Sequence, residues 1–228
     1  MINSYFLENK KLVATKGYCE SCQWLNMEGL GKEEIALIKK LGFHELAVED
    51  ILNGRHRTKV EDYKEYLFLS LDTIERGTAP LTFFCFLSRS RIVTIASREL
   101  HGDNEVLKRL QKNPTLFSKG SDFILYLLLD YLSDEYFPLL DNLDDELDKI
   151  EKKLFLHPAR ETAEKLLIIK RKIILFRRNL VALRDLLMSL RQFEGKLIRT
   201  ENIPYFQDAF DHLIRLSDKT DLMRDMIV

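Results

Sequence analysis

Apolar residues alternate with polar ones in short runs through the first part of the chain, then recur every three to four residues in long runs through the rest. The early runs predict strands mixed with short helices. "SYFLENKKLVATK" (4–16) reads as a strand pair with "NKK" at the turn, and "GKEEIALIKKLG" (31–42) as an amphipathic helix held between glycines. "ELAVEDILN" (45–53) predicts a second short helix that carries adjacent carboxylates, Glu49 and Asp50, before the chain breaks and turns into a strand. "YLFLSLDTI" (66–74), "LTFFCFLS" (81–88) and "RIVTIAS" (91–97) are rich in β-branched and aromatic residues, and "SRSR" (88–91) reads as a hairpin turn. With a helix near 103–112, these elements predict an α/β layered domain with a mixed sheet over 1–116.

No strand signal follows. Helical spacing runs through roughly 120–154, 158–193 and 201–228. Breaks are expected at His157-Pro158, because proline disfavours a helical residue before it, and at "GKLIRTENIP" (195–204). The organisation expected is therefore an arm of two long antiparallel helices over 117–200, and a stalk helix from 201. That last helix reaches "DLMRDMIV" without a stop signal, so it is expected to continue in a longer protein. Ala209, Leu213, Leu216, Thr220, Met223 and Ile227 form a seam of period 3.5, with Asp211, Asp218 and Asp225 every seven residues beside it. Such a seam serves either as a stripe facing the chain's own core or as an axis shared between copies. A polar Thr220 within it favours the shared axis.

The chain has 228 residues, 46% of them hydrophobic, enough for a packed core. Thirty-five basic residues against 36 acidic ones leave a formal charge of −1, so no global field draws the protein to nucleic acid or to anionic lipid. The N-terminus lacks the apolar stretch of a signal peptide, and three cysteines do not make a disulfide framework, so a reduced, cytosolic setting is expected. "FILYLLLDYL" (123–132) is about half of the roughly 20 residues a membrane helix needs, and it contains Asp130.

Candidate chemistry narrows to carboxylates. "CESC" (19–22) has no second ligand pair and no thioredoxin-like setting, and the histidines at 44, 56, 101, 157 and 212 lack metal spacing. There is no nucleophile motif and no glycine-rich phosphate loop, so an enzyme is not expected. Asp130 sits in a helix apolar nearly all round and needs a donor, a cation or a proton. Glu49 and Asp50 point about 100° apart, which suits two adjacent ions better than one. Asp208 and His212 share a face, with Asp211 close by. Each carboxylate can equally be an ordinary hydrogen-bonded or solvated group. Taken as a set, these oxygen ligands suit a hard cation, magnesium above all.

In this order and spacing the segments resemble the cytosolic part of CorA-type magnesium and cobalt channels. "FHELAVEDILNGRHRTKVEDYKEYLF" is similar to that family's helix, basic loop and long strand, and "NIPYFQDAFDHLIRLSDKTDLMRDM" to the start of its pore-lining stalk. "LLLDYLSDEYFPLLDNLDDELDKIE" and "KRKIILFRRNLVALRDLLMSL" resemble its acidic and basic arm helices. Thr58 stands where the family usually has proline, and Gln207 where an arginine commonly precedes the stalk aspartate. The resemblance implies a homopentamer on the cytosolic face of a membrane, joined to it by C-terminal helices that this sequence does not contain. It also implies regulatory Mg2+, with Co2+ as an alternative, at seams between subunits. Asp50 would face Asp208 of the adjacent chain at one site, and Glu49 and Asp130, sharing Asp208, would frame a second. Two rivals are a zinc-transporting relative of the same superfamily and a soluble α/β scaffold with no transport role.

Overall fold

A computed structural model describes residues 1–53, 57–75, 79–156 and 160–227. The His157-Pro158 break and part of the loop after the second helix lie outside the described residues.

Seven strands form one mixed sheet, α+β in organisation. In chain order they are β1 (Ile2–Glu8), β2 (Lys11–Lys16), β3 (Trp24–Glu28), β4 (Lys59–Asp62), β5 (Leu67–Glu75), β6 (Ala79–Leu87) and β7 (Ile92–Ala96). Across the sheet the order is β2-β1-β3-β7-β6-β5-β4, antiparallel throughout except for the parallel pair β3–β7. The predicted first hairpin closes through Asn9 and Lys10, both at positive φ (49° and 63°), the two-residue turn whose twist matches paired strands.

Two strands escape the periodicity for opposite reasons. β3 is central and buried on both faces, but Asn26 interrupts its apolar run. That side chain is satisfied inside the core: Thr94 Oγ1 donates to Asn26 Oδ1 (2.7 Å), and Asn26 Nδ2 donates to Asp103 Oδ2 (2.8 Å). β4, "KVED", is a short edge strand whose charges leave no apolar pattern and keep the open edge from pairing with other chains.

Alternation along the strands separates two apolar layers. Leu25, Met27, Phe68, Phe84, Phe86, Val93 and Ile95 pack under α1 (Lys32–Lys40) and α2 (Glu45–Asn53). Leu67, Leu69, Leu71, Phe83, Cys85 and Leu87 face the opposite way, onto α3 (His101–Lys112) and α4 (Ser121–Asp134), and this layer continues into α5 (Tyr136–Leu156), α6 (Arg160–Leu190) and α7 (Ile203–Met226).

The segment expected as one helix over 120–154 is two, α4 and α5, broken at Glu135. Pro138 explains the break: it has no N–H to give to the Asp134 carbonyl, and its ring crowds that carbonyl. The stalk seam also turns out differently from the shared-axis expectation. Ala209, Leu213, Leu216 and Thr220 are fully buried, and Met223 nearly so, in the core that α7 forms with α4, α5 and α6 of the same chain. Thr220 is tolerated there because its hydroxyl donates to the Ser217 carbonyl at 2.7 Å. Among the described residues no helix is long and apolar enough to cross a membrane.

Candidate metal centre

The start of α4 is fastened to the start of α7. Asp122, 1% exposed, accepts from the Arg199 backbone N–H (2.9 Å) and from Asn202 Nδ2 (2.8 Å). From that clasp the two helices run side by side in the same direction, held by Phe123 against Tyr205 and by Tyr126 against Tyr205 and Phe206. Two turns on, residues spaced four apart on each helix face each other: Asp130 and Asp134 from α4, Asp208 and His212 from α7.

His212 Nδ1 lies 3.9 Å from Asp130 Oδ1 and 3.7 Å from Asp134 Oδ1, and His212 Nε2 lies 3.8 Å from Asp208 Oδ1. These separations exceed hydrogen-bond length. His212 Nδ1 is buried with no hydrogen-bond partner. Asp130 is the deepest carboxylate of the set, its side chain 13% exposed against 54% for Asp134 and 61% for Asp208. Its contacts are a 3.4 Å hydrogen bond from Tyr126 Oη and the Arg109 guanidinium, Nη1 at 3.8 Å from Oδ2.

Burial and the neighbouring Asp134 charge push the Asp130 carboxyl above the ordinary carboxylate range. Asp134 is raised as well, by burial and then by the Asp208 charge. Tyr126 is pushed up to about 12 by burial and the Asp130 charge, which keeps the phenol protonated as a donor. Three carboxylates thus converge, and among the described residues the one lysine or arginine within 4 Å of them is Arg109, loosely placed beside Asp130.

The chemistry of the set fits a divalent ion. One ligand atom from each of Asp130, Asp134 and His212 lies within 4.8 Å of the others. Octahedral ligands at about 2.1 Å from a magnesium ion stand about 3.0 Å apart when adjacent and about 4.2 Å apart when opposite. His212 Nδ1 stands 3.7–3.9 Å from the two aspartate oxygens, between these limits, so direct ligation of one ion by all three residues would need a small closure of the cluster. The partnerless nitrogen on His212 is what such an ion would satisfy.

Of the four residues expected as ligands, the structure brings Asp130 and Asp208 to one place. Glu49 and Asp50 lie on the other face of the sheet, with α2, and cannot reach that cluster within one chain. Asp50 Oδ2 is 2.5 Å from Lys59 Nζ, which also holds Glu61 Oε1 at 2.6 Å. Glu49 is exposed and accepts from Asn53 Nδ2 at 3.3 Å. Asp134 was missed although its spacing from Asp130 repeats that of Asp208 and His212. Arg109 carried no signal, because its place depends on how α3 packs on α4. Cys19 and Cys22 are free; Cys22 is packed in the α1–α2 core, and Cys19 Sγ lies 3.2 Å from Ser21 Oγ, whose hydrogen bond lowers the thiol's pKa.

The family model described as "CorA-like Mg2+ transporter protein" matches residues 20–228. The chain is 32% identical over 212 residues to the cobalt/magnesium transport protein CorA of Thermotoga maritima, covering 90% of this chain and 60% of that one. It is 29% identical over 212 residues to the putative metal ion transporter YfjQ of Bacillus subtilis, covering 89% and 64% respectively. The chain therefore spans less than two thirds of the length of either relative. Among solved structures, the complete CorA magnesium transporter of Methanocaldococcus jannaschii superposes with a TM-score of 0.83 at 21% identity, over 100% of this chain and 74% of that one. The ZntB cytoplasmic domain of Vibrio parahaemolyticus gives the same TM-score at 13% identity, over 100% and 93%. At these identities the two superpositions speak for the fold alone.

Proposed function

Because the chain belongs to the CorA-like Mg2+ transporter family, we propose that it is the cytosolic, ion-sensing part of a divalent-cation channel, a homopentamer in its full-length, membrane-embedded form. The observation that carries this reading is the buried Asp130, with Asp134 one turn on along α4, facing His212 of α7, and with no described lysine or arginine nearer than 3.8 Å. Glu49 and Asp50 enter from the neighbouring subunit. Within one chain the sheet stands between α2 and α7, so a site joining Asp50 to Asp208 requires two copies.

Gating then follows from linkage. An ion that binds the closed ring more tightly than the open one stabilises it by mass action, and a site filled at a hundred times its Kd contributes up to about 2.7 kcal/mol. When cytosolic Mg2+ falls, the uncompensated carboxylates repel across each seam and the ring loosens. The reaction is transport, and no residue is assigned a catalytic role.

Replacing Asp50 and Asp208 together by alanine in the full-length protein abolishes Mg2+-dependent protection from proteolysis near the start of α7. Unchanged protection removes both residues from the ligand set. A zinc-transporting function is the second reading, favoured by His212, since an imidazole beside carboxylates suits zinc better than magnesium. Calorimetry with Mg2+, Co2+ and Zn2+ separates them: heat from Mg2+ and Co2+ supports the first, and a response to Zn2+ alone supports the second.

A further inference from the structure

Resting on the metal-centre reading above, we propose that Arg109 is a built-in competitor for the ion: its guanidinium stands at Asp130 in the metal-free state and leaves when a dication binds, which sets the ion concentration at which the centre fills.

The placement of Arg109 is built by packing. Gly102, in the first turn of α3, lies directly against the ring of Tyr131 on α4, where an added methyl group would overlap that ring. Glycine therefore lets α3 lie close to α4. Seven residues on, and so on the same face of α3, Arg109 meets the residue preceding Tyr131, which is Asp130. Among the described residues no other lysine or arginine comes within 4 Å of Asp130 or Asp134, and the adjacent Lys108 is paired with Glu105 at 2.8 Å.

The contact is also of the displaceable kind. Nη1 stands 3.8 Å from Oδ2, short of a hydrogen bond, and the Arg109 side chain is 55% exposed. Arg177, by contrast, holds Asp221 at 2.5 Å. A guanidinium that kept its place would sit within several ångströms of the ion bound at Asp130, and a single positive charge that close to a double one is strongly unfavourable. Binding of the metal and pairing of Arg109 therefore oppose each other. The free energy that the pair contributes to the metal-free protein is subtracted from the apparent affinity for the ion.

Arg109→Gln and Arg109→Lys in the purified chain test this through two readouts, the half-saturating MgCl2 concentration and the thermal midpoint with and without EDTA. Arg109→Gln lowers the half-saturating concentration three- to tenfold, lowers the midpoint in EDTA and enlarges the rise on adding Mg2+. Arg109→Lys keeps the charge and stays near the parent. A residue that merely supported the fold would shift both midpoints together and leave half-saturation unchanged, and that result overturns the proposal. If the parent itself shows no Mg2+ response, the metal-centre reading fails, and this proposal with it. If the parent responds and Arg109→Gln matches it, only the role of Arg109 is lost.

Discussion

Two of the acidic places on this molecule are neutralised in different ways. On α2, Asp50 is held at 2.5 Å by Lys59, an ammonium that also reaches Glu61, and both partners are about one third exposed to water (31% and 32%). Across α4 and α7, Asp130 is deeply buried, yet its basic neighbours stop at 3.8–3.9 Å. A close pair in water resists displacement only modestly and costs little to form. A buried carboxylate with distant counter-charges is the more expensive arrangement, and its cost is relieved by whatever cation arrives. The chain therefore keeps one acidic site resting and the other poised.

The sharpest way to break the comparison is Asp130→Asn. The metal response of the isolated chain then falls at least tenfold, because the most buried of the proposed ligands loses its charge. The metal-free protein becomes more stable by about 1 kcal/mol, because a desolvated carboxylate is replaced by a neutral isostere. Glu49→Gln, on the other face of the sheet, leaves both quantities unchanged in the isolated chain. Thermal denaturation with EDTA and with MgCl2 checks all three statements. A less stable Asp130→Asn protein in EDTA would mean that its contacts with Arg109 and His212 already outweigh the cost of burial.

Acidification gives a smaller effect of defined sign. Asp130 and Asp134 both bind protons more readily in the folded protein than at the ordinary 3.8. Between that value and their raised native values the folded state holds more protons than the unfolded one, so this contribution to stability falls as pH rises. The groups facing them are Tyr126 on α4, Glu135 at the break after it, Asp208 and His212 on α7, and Arg109 on α3. Lowering the pH from neutral towards about 4 stabilises the metal-free chain relative to Asp130→Asn, and the Mg2+-induced rise in midpoint shrinks over the same window as protons displace the ion. Paired melts of the two proteins across that range measure both trends. A Mg2+ response independent of pH would exclude these two carboxylates as ligands.

What could be read from the chain beforehand divides along physical lines. Features with local periodicity were legible: the β1–β2 hairpin, the helix carrying Glu49 and Asp50, the strands β5 to β7, and the helical character of most described residues after Gly120. β3 was hidden because Asn26 is a core residue only by virtue of Thr94 and Asp103, which are 68 and 77 residues away. The division at Glu135 was readable from Pro138 but was masked by unbroken helical spacing. Asp130 was legible because a carboxylate in an apolar helix demands a partner, and Asp134 became visible only once α7 placed His212 opposite both. The seam on α7 shows the limit: a period of 3.5 identifies a face that packs against helices, and only the fold says that those helices belong to the same chain.

The smallest expected effect sharpens the α2 side. Lys59→Ala removes the ammonium shared by Asp50 and Glu61, and a pair this exposed is worth less than about 1 kcal/mol once screened by solvent. The metal-free midpoint should therefore drop only slightly, and the drop should shrink further in high salt. The vacated carboxylates lie on neighbouring elements, α2 and the edge strand β4, and together they attract a dication, so the variant acquires a weak Mg2+-dependent stabilisation that survives Asp130→Asn. Melts of Lys59→Ala at low and high NaCl, with and without MgCl2, read both effects. A loss of several kcal/mol, insensitive to salt, would instead make Lys59 a structural clamp between α2 and the sheet, and Asp50 would then be too firmly held to serve a neighbouring subunit.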